Sequence, residues 1–310
     1  MVVQIENLVK RYGDLIALDH LNLNIKEGEI FGLLGPNGSG KTTAINCLLS
    51  LLNFNKGTIK IFDKEMTPTA YDIKRNIGLV PQNVAVFNEL NVYENIDYFC
   101  GLYITDKKAR KKLVEEAINF VSLNDFKKFY PKKLSGGLLR RLNIACGIVH
   151  QPKLIILDEP TVAVDPQSRN NILEGIKKLN EKGATIIYTS HYMEEVEQLC
   201  TRIAILDKGK MIASGTKEEL KSMISLGEKI TVEAFGLEEI TLNKIKELPN
   251  VIGVEYAESF LTIRTKTGKS NLTNIVQFIE DNNISYGKIY SELPTLNDVF
   301  LEITGTELRD

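Results

Sequence analysis

The sequence has no tryptophan and is poor in the side chains that build metal and disulfide sites, with 4 cysteines and 3 histidines among 310 residues. The cysteines lie far apart, at Cys47, Cys100, Cys146 and Cys200. Metal binding needs clustered ligands, and disulfide frameworks belong to small secreted chains. We therefore expect reduced and mostly buried thiols in a cytosolic protein, without a zinc site.

Long apolar runs and a secretion signal are also absent. No segment approaches the roughly 18 apolar residues of a membrane span, and runs such as Leu154–Leu157 have the length of buried strands. The first residues, MVVQIENLVKRYG, lack the basic start and apolar stretch of a secretory signal. The sequence therefore predicts a chain that neither spans a membrane nor is secreted.

Charge of one sign is not in excess, since 38 basic and 40 acidic residues give a net charge of −2. This balance excludes a global basic field that would attract nucleic acid or acidic lipid. Residues 226–310 nevertheless carry 8 Lys and Arg against 14 Asp and Glu, whereas residues 1–225 carry 30 against 26. With 43% hydrophobic residues, this asymmetry indicates a globular chain of two domains.

The order of apolar runs and helical patterns distinguishes the two domains. Over residues 1–225, strand and helix patterns alternate, which favours an α/β domain with a mainly parallel sheet covered by helices. The stretch Asn91–Lys133 interrupts the strands and predicts an inserted helical subdomain at about residues 84–150. Residues 226–310 follow the order strand, helix, strand, strand, helix, strand, typical of a small ferredoxin-like α+β accessory or regulatory domain.

The segment Gly35–Thr42 reads GPNGSGKT and satisfies the phosphate-loop pattern of P-loop NTPases, G-x-x-x-x-G-K-[ST], between an apolar strand and a predicted helix. Its glycines let the backbone approach phosphate oxygens, and the amides of the helix N-terminus present partial positive charge. We expect Lys41 to reach the β- and γ-phosphates and the Thr42 hydroxyl to coordinate Mg²⁺. The candidate nucleotide-binding residues here are Gly35, Asn37, Gly38, Ser39, Gly40, Lys41, Thr42 and Thr43.

Two adjacent carboxylates follow the apolar run Leu154–Leu157 and supply the acidic strand end that such a site requires. We assign Asp158 to Mg²⁺ and Glu159 to the attacking water, as general base or water-orienting group. The guanine-reading pattern Asn-Lys-x-Asp is not satisfied, because the segment Asn55–Thr58 (NKGT) lacks the aspartate. ATP with Mg²⁺ is therefore the expected ligand.

The segment Leu134–Gly137 (LSGG) resembles the signature loop of ABC transporter ATP-binding subunits, and the resemblance covers about the first 225 residues. It implies that Ser135 and the amides of Gly136 and Gly137 cap the γ-phosphate of ATP held by a second subunit. Taken alone, Ser-Gly-Gly is more often a helix N-cap or a turn. Leu138 stands where the family usually has glutamine and cannot hydrogen-bond across the dimer, but hydrolysis is still expected.

Four further positions match the family in order, and their roles are implied by the resemblance. Tyr12 resembles the aromatic platform for adenine, and is otherwise a packed tyrosine. Gln82 resembles the glutamine that touches Mg²⁺ and water and relays the nucleotide state to the membrane partner. Asp165, in the segment Ala163–Pro166, resembles the residue that couples the two sites of the dimer, and is otherwise a good helix N-cap. His191 resembles the switch histidine at the γ-phosphate, and is otherwise a strand-end histidine.

The resemblance also implies an assembly. A homodimer would enclose two ATP–Mg²⁺ ligands, and separate transmembrane permease subunits would dock near Val84–Tyr98. The run Pro294–Gly305 resembles the tail of bacterial drug-exporter subunits, which favours export of a drug, antibiotic or lipid-like substrate from the cytoplasmic face of the plasma membrane. The catalytic candidates are thus Lys41, Gln82, Glu159 and His191, and the metal candidates are Thr42, Gln82 and Asp158.

Two functions of other classes stay open from the sequence. One is a soluble ABC-type ATPase that acts on ribosomes or nucleic acid, and the other is a weakly hydrolysing nucleotide sensor. A single phosphate loop, the lack of sustained heptads and a net charge of −2 argue against the first, and so against a nucleic-acid partner. The argument for the second is Leu138 in the signature loop.

Overall fold

The computed structural model describes residues 1–162, 164–268 and 270–305, which divide into one unit over Met1–Thr216 and a second that begins at Lys217. Ala163, in the segment that resembles the coupling loop, and residues 306–310 of the predicted second domain lie outside the described residues. The division lies upstream of the predicted boundary after Ser225. The helix Lys217–Ser222 contacts the helix Leu296–Thr304, which joins the segment before Ser225 to the second unit.

The first unit follows the alternation of strands and helices that the sequence predicts. Its strands are β1 (Val3–Tyr12), β2 (Leu15–Ile25), β3 (Ile30–Leu34), β4 (Lys56–Ile61), β5 (Lys64–Glu65), β6 (Ile77–Val80), β7 (Leu154–Asp158), β8 (Thr185–Ser190), β9 (Arg202–Asp207) and β10 (Lys210–Gly215). Its helices are α1 (Lys41–Leu48), α2 (Tyr71–Lys74), α3 (Val92–Gly101), α4 (Lys107–Phe120), α5 (Gly136–Ile148), α6 (Pro166–Glu181) and α7 (Met193–Leu199).

A six-stranded sheet in the order β10-β9-β3-β8-β7-β6 forms the centre of this unit. The strands from β9 to β6 are parallel, and β10 pairs antiparallel at one edge. Strands β3, β7 and β8 are buried along their whole length, as strands of a parallel sheet covered on both faces are. The predicted α/β class is confirmed, and α3, α4 and α5 lie between β6 and β7 as expected for the inserted helices.

A second, antiparallel sheet in the order β2-β1-β4-β5 shares its core with the first. One cluster of buried side chains includes residues of β1, β2, α1, β3 and β7, so the two sheets and α1 contribute to one core. Strand β4 is not evident in the sequence pattern because its first three residues, Lys56, Gly57 and Thr58, are exposed. Its buried residues Ile59 and Ile61 contribute to the core.

The second unit contains a four-stranded antiparallel sheet in the order β12-β13-β11-β14. Its central elements follow the predicted order of strand, helix, strand, strand, helix and strand, and buried residues such as Ile230, Leu261 and Ile275 form its own core. The elements are α8 (Lys217–Ser222), β11 (Leu226–Ala234), α9 (Glu239–Lys246), β12 (Val251–Ala257), β13 (Phe260–Lys266), α10 (Leu272–Asp281), β14 (Tyr286–Glu292) and α11 (Leu296–Thr304).

The helices of both units are short or amphipathic. Within the described residues, none combines the length and the apolar character that a membrane crossing requires. The basic helix α4 shows the pattern of a solvated helix, because Val114, Ala117 and Ile118 are its buried residues and its lysines lie on the remaining surface.

The four cysteines are buried, as predicted. Burial raises the pKa of the Cys47 and Cys146 thiols, and it raises the pKa of Cys100 to about 11. Because the thiolate is the reactive form, we expect Cys100 to be alkylated at pH 8 about two orders of magnitude more slowly in the native chain than in the unfolded chain. Counting iodoacetamide adducts by mass spectrometry measures this, with denatured protein as the control. Rapid modification of native Cys100 would contradict a buried thiol.

Candidate nucleotide-binding and catalytic site

Four segments identified in the sequence meet at the carboxyl ends of the strands of the parallel sheet. Gly35–Thr42 follows β3, His191 follows β8, Glu159 follows β7 and Gln82 lies just beyond β6. These strands are neighbours in the order β3-β8-β7-β6 and run in the same direction. Ligands of open α/β sheets bind at the carboxyl ends of the strands, so the fold places the four segments around one crevice.

The phosphate loop wraps around the side chain of Lys41, the first residue of α1. Lys41 Nζ donates to Gly35 O at 2.8 Å and to Pro36 O at 3.2 Å. Gly40, which precedes the helix, has a φ of 107°, a left-handed conformation that favours glycine. The buried Ser39 Oγ has no hydrogen-bond partner among the described residues. A buried hydroxyl without a partner is costly, so this atom and the free amides at the start of α1 suit a bound anion.

The carboxylate of Glu159 contacts side chains that follow the three other strands. Its Oε1 lies 3.2 Å from Lys41 Nζ, and its Oε2 accepts a 2.9 Å hydrogen bond from Gln82 Nε2. His191 Nδ1 lies 3.4 Å from the same Oε2. Glu159 is 4% exposed, and a carboxylate buried to this degree needs such partners. Its backbone φ of 47° lies in the left-handed region, where strained residues cluster at functional sites.

Asp158, the last residue of β7, is held by the neighbouring strand. Its Oδ1 accepts a 2.6 Å hydrogen bond from Thr189 Oγ1, and the same hydroxyl oxygen accepts a 3.0 Å bond from Glu159 N. Thr189 therefore orients both acidic residues, a role that sequence reasoning missed. Thr189 is paired with Asp158 in the register between β7 and β8, and this register is a tertiary property.

A cavity of about 440 Å³ opens at the phosphate loop. This volume is within the usual range of small-molecule sites. Tyr12 is 48% exposed at this cavity, with Lys10 Nζ 4.7 Å from the centre of its ring. The predicted residues that line the cavity are Tyr12, Asn37, Gly38, Gly40, Lys41, Thr42, Thr43, Gln82 and Glu159.

The signature segment lies elsewhere and is not among the residues that line this cavity in the described part of the chain. Ser135 caps α5, because its Oγ accepts a 3.3 Å hydrogen bond from Leu138 N. Asp165 caps α6 through Ser168 N at 2.9 Å, and this bond holds the pKa of Asp165 below its usual value. A Cβ on Gly137 would lie 3.3 Å from Asp165 Oδ2, so the two caps are adjacent. The structure thus brings Ser135, Gly136, Gly137 and Asp165 together away from this cavity.

The turn between β9 and β10 also lines the cavity, a role that the sequence did not predict. Lys208 and Gly209 line the cavity, and Gly209 N donates to Ser39 O at 2.9 Å. A Cβ on Gly209 would lie 2.7 Å from Ala17 O, so only glycine fits this close approach. The glycine in Asp207–Lys210 (DKGK) is a turn signal in the sequence, but its support of the phosphate loop depends on the fold.

Side chains of helix α5 form hydrogen bonds with the backbone around Gln82. The sequence did not predict these contacts. Arg140 Nη1 donates to Gln82 O at 2.7 Å, and Asn143 Nδ2 donates to Pro81 O at 3.2 Å. Asn143 Oδ1 also accepts a 3.0 Å bond from Ala85 N. Both side chains are buried, and burial lowers the pKa of Arg140. The helix that begins after the signature serine therefore contacts the segment that carries Gln82.

Comparison with known proteins identifies the family. Residues 18–162 match the family described as ABC transporter. The linearmycin resistance ATP-binding protein LnrL of Bacillus subtilis (strain 168) is 38% identical over 311 residues, which cover 100% of this chain and 100% of that protein. The chain belongs to the ATP-binding proteins of ABC transporters. Over 308 residues, this ABC ATPase is also 31% identical to the daunorubicin resistance ATP-binding protein DrrA3 of Streptomyces coeruleorubidus, with 99% and 97% of the chains covered.

Solved structures agree with this family. The ATP-binding cassette MJ0796, in a dimeric post-hydrolysis state bound to ADP and Pi, superposes with a TM-score of 0.64 at 28% identity, over 69% of this chain and 98% of that chain. The ABC ATPase therefore binds and hydrolyses ATP, as predicted. Residues 215–304 match a second family, the C-terminal domain of DrrA1-3-like ATP-binding proteins, and this match covers most of the second unit.

Proposed function

We propose that this ABC ATPase powers the export of a drug, antibiotic or lipid-like compound through separate transmembrane permease subunits. LnrL and DrrA3, whose names record resistance to linearmycin and daunorubicin, match nearly the whole chain. The match to a DrrA-type C-terminal domain extends the likeness beyond the nucleotide-binding unit. The observation that carries the catalytic part is the carboxylate of Glu159, which contacts Lys41, Gln82 and His191 at one edge of the sheet.

The phosphate loop is proposed to hold the polyphosphate of ATP. Lys41 supplies a positive charge, and the unpartnered Ser39 Oγ and the amides after Gly40 supply hydrogen bonds. The half-exposed ring of Tyr12 lies at the same cavity and offers a flat apolar face for adenine. These contacts account for nucleotide binding with groups of one subunit.

Thr42, Gln82 and Asp158 are proposed to hold Mg²⁺, which would supply positive charge to the phosphates when bound. Hydroxyl, amide and carboxylate oxygens are the ligands that this ion prefers. Among the described residues, no group of three His, Cys, Asp or Glu side chains could hold a metal by itself. Mg²⁺ in nucleotide sites is usually held by one or two protein groups plus phosphates and water, so this donor set fits the ion.

Hydrolysis is proposed to depend on Glu159 as the group that orients the attacking water and accepts its proton. The carboxylate is buried and fixed by Gln82, so its position is defined before water arrives. Lys41 and the loop amides face the negative charge that builds on the phosphate oxygens. His191, beside the carboxylate, completes the arrangement around the γ-phosphate.

A homodimer is proposed because one subunit does not bring all the predicted nucleotide groups to its cavity. Ser135 and Gly136 are exposed and, within the described residues, lie outside the cavity lined by the phosphate loop. A second copy would present them, together with Asp165, to the γ-phosphate. Contacts to this phosphate would close the dimer, and its release would open it.

The permease is proposed to dock beside Gln82. The predicted surface Val84–Tyr98 exposes Phe87 and Tyr98, whose ring centres are 4.8 Å apart. An adjacent apolar groove of about 370 Å³ includes Ala85 and the exposed Leu102. A cytoplasmic segment of the permease in this groove would contact the same backbone that carries Gln82, and so would couple nucleotide state to transport. We therefore propose that the ABC ATPase acts at the cytoplasmic face of the membrane.

Transport assays test the proposed function. The ABC ATPase is co-expressed with a candidate multi-span permease, and inside-out vesicles are prepared. We expect ATP-dependent uptake of linearmycin or daunorubicin into these vesicles, and loss of uptake when the Glu159→Gln chain replaces the parent. Co-purification with ribosomes or nucleic acid, without a membrane protein, would contradict the proposal and favour the soluble ATPase.

A further inference from the structure

A second buried carboxylate, that of Glu195 on α7, lies near the carboxyl ends of β7 and β8. Its Oε2 accepts hydrogen bonds from Tyr188 Oη at 2.7 Å, from Thr161 Oγ1 at 2.8 Å and from Ser190 Oγ at 3.1 Å. Glu195 is 3% exposed. Burial raises the pKa of Tyr188 well above its ordinary value, so this hydroxyl stays protonated and donates.

A cation from another helix balances this carboxylate. Arg169 Nε lies 3.2 Å from Glu195 Oε1, and its guanidinium lies over the ring of Tyr192 at 4.9 Å. Arg169 is in the first turns of α6, the helix that Asp165 caps. A buried carboxylate without a positive partner would be strongly destabilising, so the pair accounts for the presence of a charge at this depth.

The three hydroxyl partners of Glu195 lie on the two segments that carry Glu159 and His191. Ser190 immediately precedes His191. Ser190 Oγ also accepts a 2.9 Å hydrogen bond from Tyr192 N, so this bond joins the residues on both sides of the histidine. Thr161 lies just after Glu159, and Thr161 O accepts a 3.2 Å bond from Val164 N in the same loop. Glu195 therefore links the loop of Glu159 to the loop of His191.

We propose that Glu195 is a positioning residue for ATP hydrolysis, which holds the loop of Glu159 and the loop of His191 in one fixed relation. The inference rests on the roles proposed for Glu159 and His191. Both act on the same small group of reacting atoms, and a displacement of about 1 Å in such a constellation costs roughly 100-fold in rate. The left-handed backbone conformation of Glu159 persists only where surrounding contacts stabilise it. The hydrogen bond from Thr161 to Glu195, two residues further along the chain, is such a contact.

A purely structural role would predict different behaviour. Buried ion pairs are often replaceable by packed apolar groups without loss of stability, so stability alone does not explain why three hydroxyl partners lie on the segments that carry Glu159 and His191. If Glu195 positions the two loops, its loss slows the chemical step and leaves ATP affinity almost unchanged. If Glu195 only stabilises the fold, turnover follows the fraction of folded protein.

The test compares the full-length variant Glu195→Gln with the parent by steady-state hydrolysis, ATP titration and thermal unfolding. We expect a kcat at least about tenfold lower, with a KM for ATP within about twofold of the parent. Glu194→Gln is the matched control, because it makes the same change at the preceding, exposed position. Thr161→Val removes one hydroxyl from the network and is expected to lower kcat in the same direction by a smaller factor.

The outcomes separate this inference from the proposed site. If Glu159→Gln slows hydrolysis while folded Glu195→Gln and Thr161→Val turn over like the parent, the positioning role is wrong and the site assignment stands. If Glu159→Gln also turns over normally, the proposed site itself fails. If Glu195→Gln does not fold, Thr161→Val decides alone, and a parental kcat in that folded variant overturns the inference.

Discussion

Replacement of Glu159 by Gln is expected to slow ATP hydrolysis at least tenfold, which corresponds to about 1.4 kcal/mol in the barrier. The amide has nearly the size of the carboxylate but cannot accept the proton of the attacking water. Its partners at the site, Lys41, Gln82 and His191, lie within 3.4 Å of the carboxylate and would remain in place. ATP binding should therefore survive, and the ATP-bound dimer should accumulate.

Single-turnover phosphate release and size-exclusion chromatography with ATP measure these two effects. Glu194→Gln serves as the control, since it removes an exposed carboxylate outside the site. Turnover equal to the parent would remove Glu159 from its proposed role. A monomeric variant that hydrolyses slowly in saturating ATP would instead argue against the proposed closed dimer.

Replacement of Lys41 by Ala is expected to weaken ATP binding at least about tenfold, or about 1.4 kcal/mol. The ammonium group is the cation at the centre of the phosphate loop, where it contacts Gly35 O, Pro36 O and Glu159 Oε1. Both side chains of the Lys41–Glu159 pair are almost fully buried. Removing the cation leaves a buried carboxylate short of a partner, so the folded state should also lose stability, on the order of 3 kcal/mol.

Isothermal titration with ATP measures the affinity, and thermal unfolding confirms that the variant is folded at the temperature used. Lys41→Met keeps the length of the buried stem and replaces the alanine variant if that variant unfolds. Lys208→Ala is the matched control, because Lys208 lines the same cavity but is exposed. A much smaller loss is expected there, and equal affinity of the parent and the Lys41 variants would refute the phosphate-loop assignment.

Local motifs explain why much of the site could be predicted. The phosphate loop is a contiguous segment whose glycines, lysine and threonine act through their own backbone and the helix that follows, so its chemistry is visible in eight residues. Asp158 and Glu159 are equally recognisable, because an acidic pair directly after a buried strand has few structural explanations. The resemblance of Leu134–Gly137 to the signature loop then named the family, which the comparisons confirm.

Contacts between distant segments explain what could not be predicted. Thr189 is 31 residues from Asp158, and Glu195 is 34 residues from Thr161, so neither pair forms a sequence pattern. Arg140 and Asn143 similarly reach the backbone at Pro81 and Gln82 across more than 50 residues. Strand β4 was not recognised for a related reason, since its lysines are exposed and its pairing with β1 provides its stability.

Several motifs of this ABC ATPase can be recognised from its residues alone: a phosphate loop, an acidic strand end, a signature segment and a second domain whose sequence shows no catalytic motif. These features depend on neighbouring residues, and local spacing preserves them. The fold, in contrast, brings Glu159 into contact with Lys41, Gln82 and His191, and it brings Glu195 into contact with the loops of Glu159 and His191. The reason is the strand order β3-β8-β7-β6, because neighbouring strands of a parallel sheet are brought together by long crossovers whose order no local pattern records.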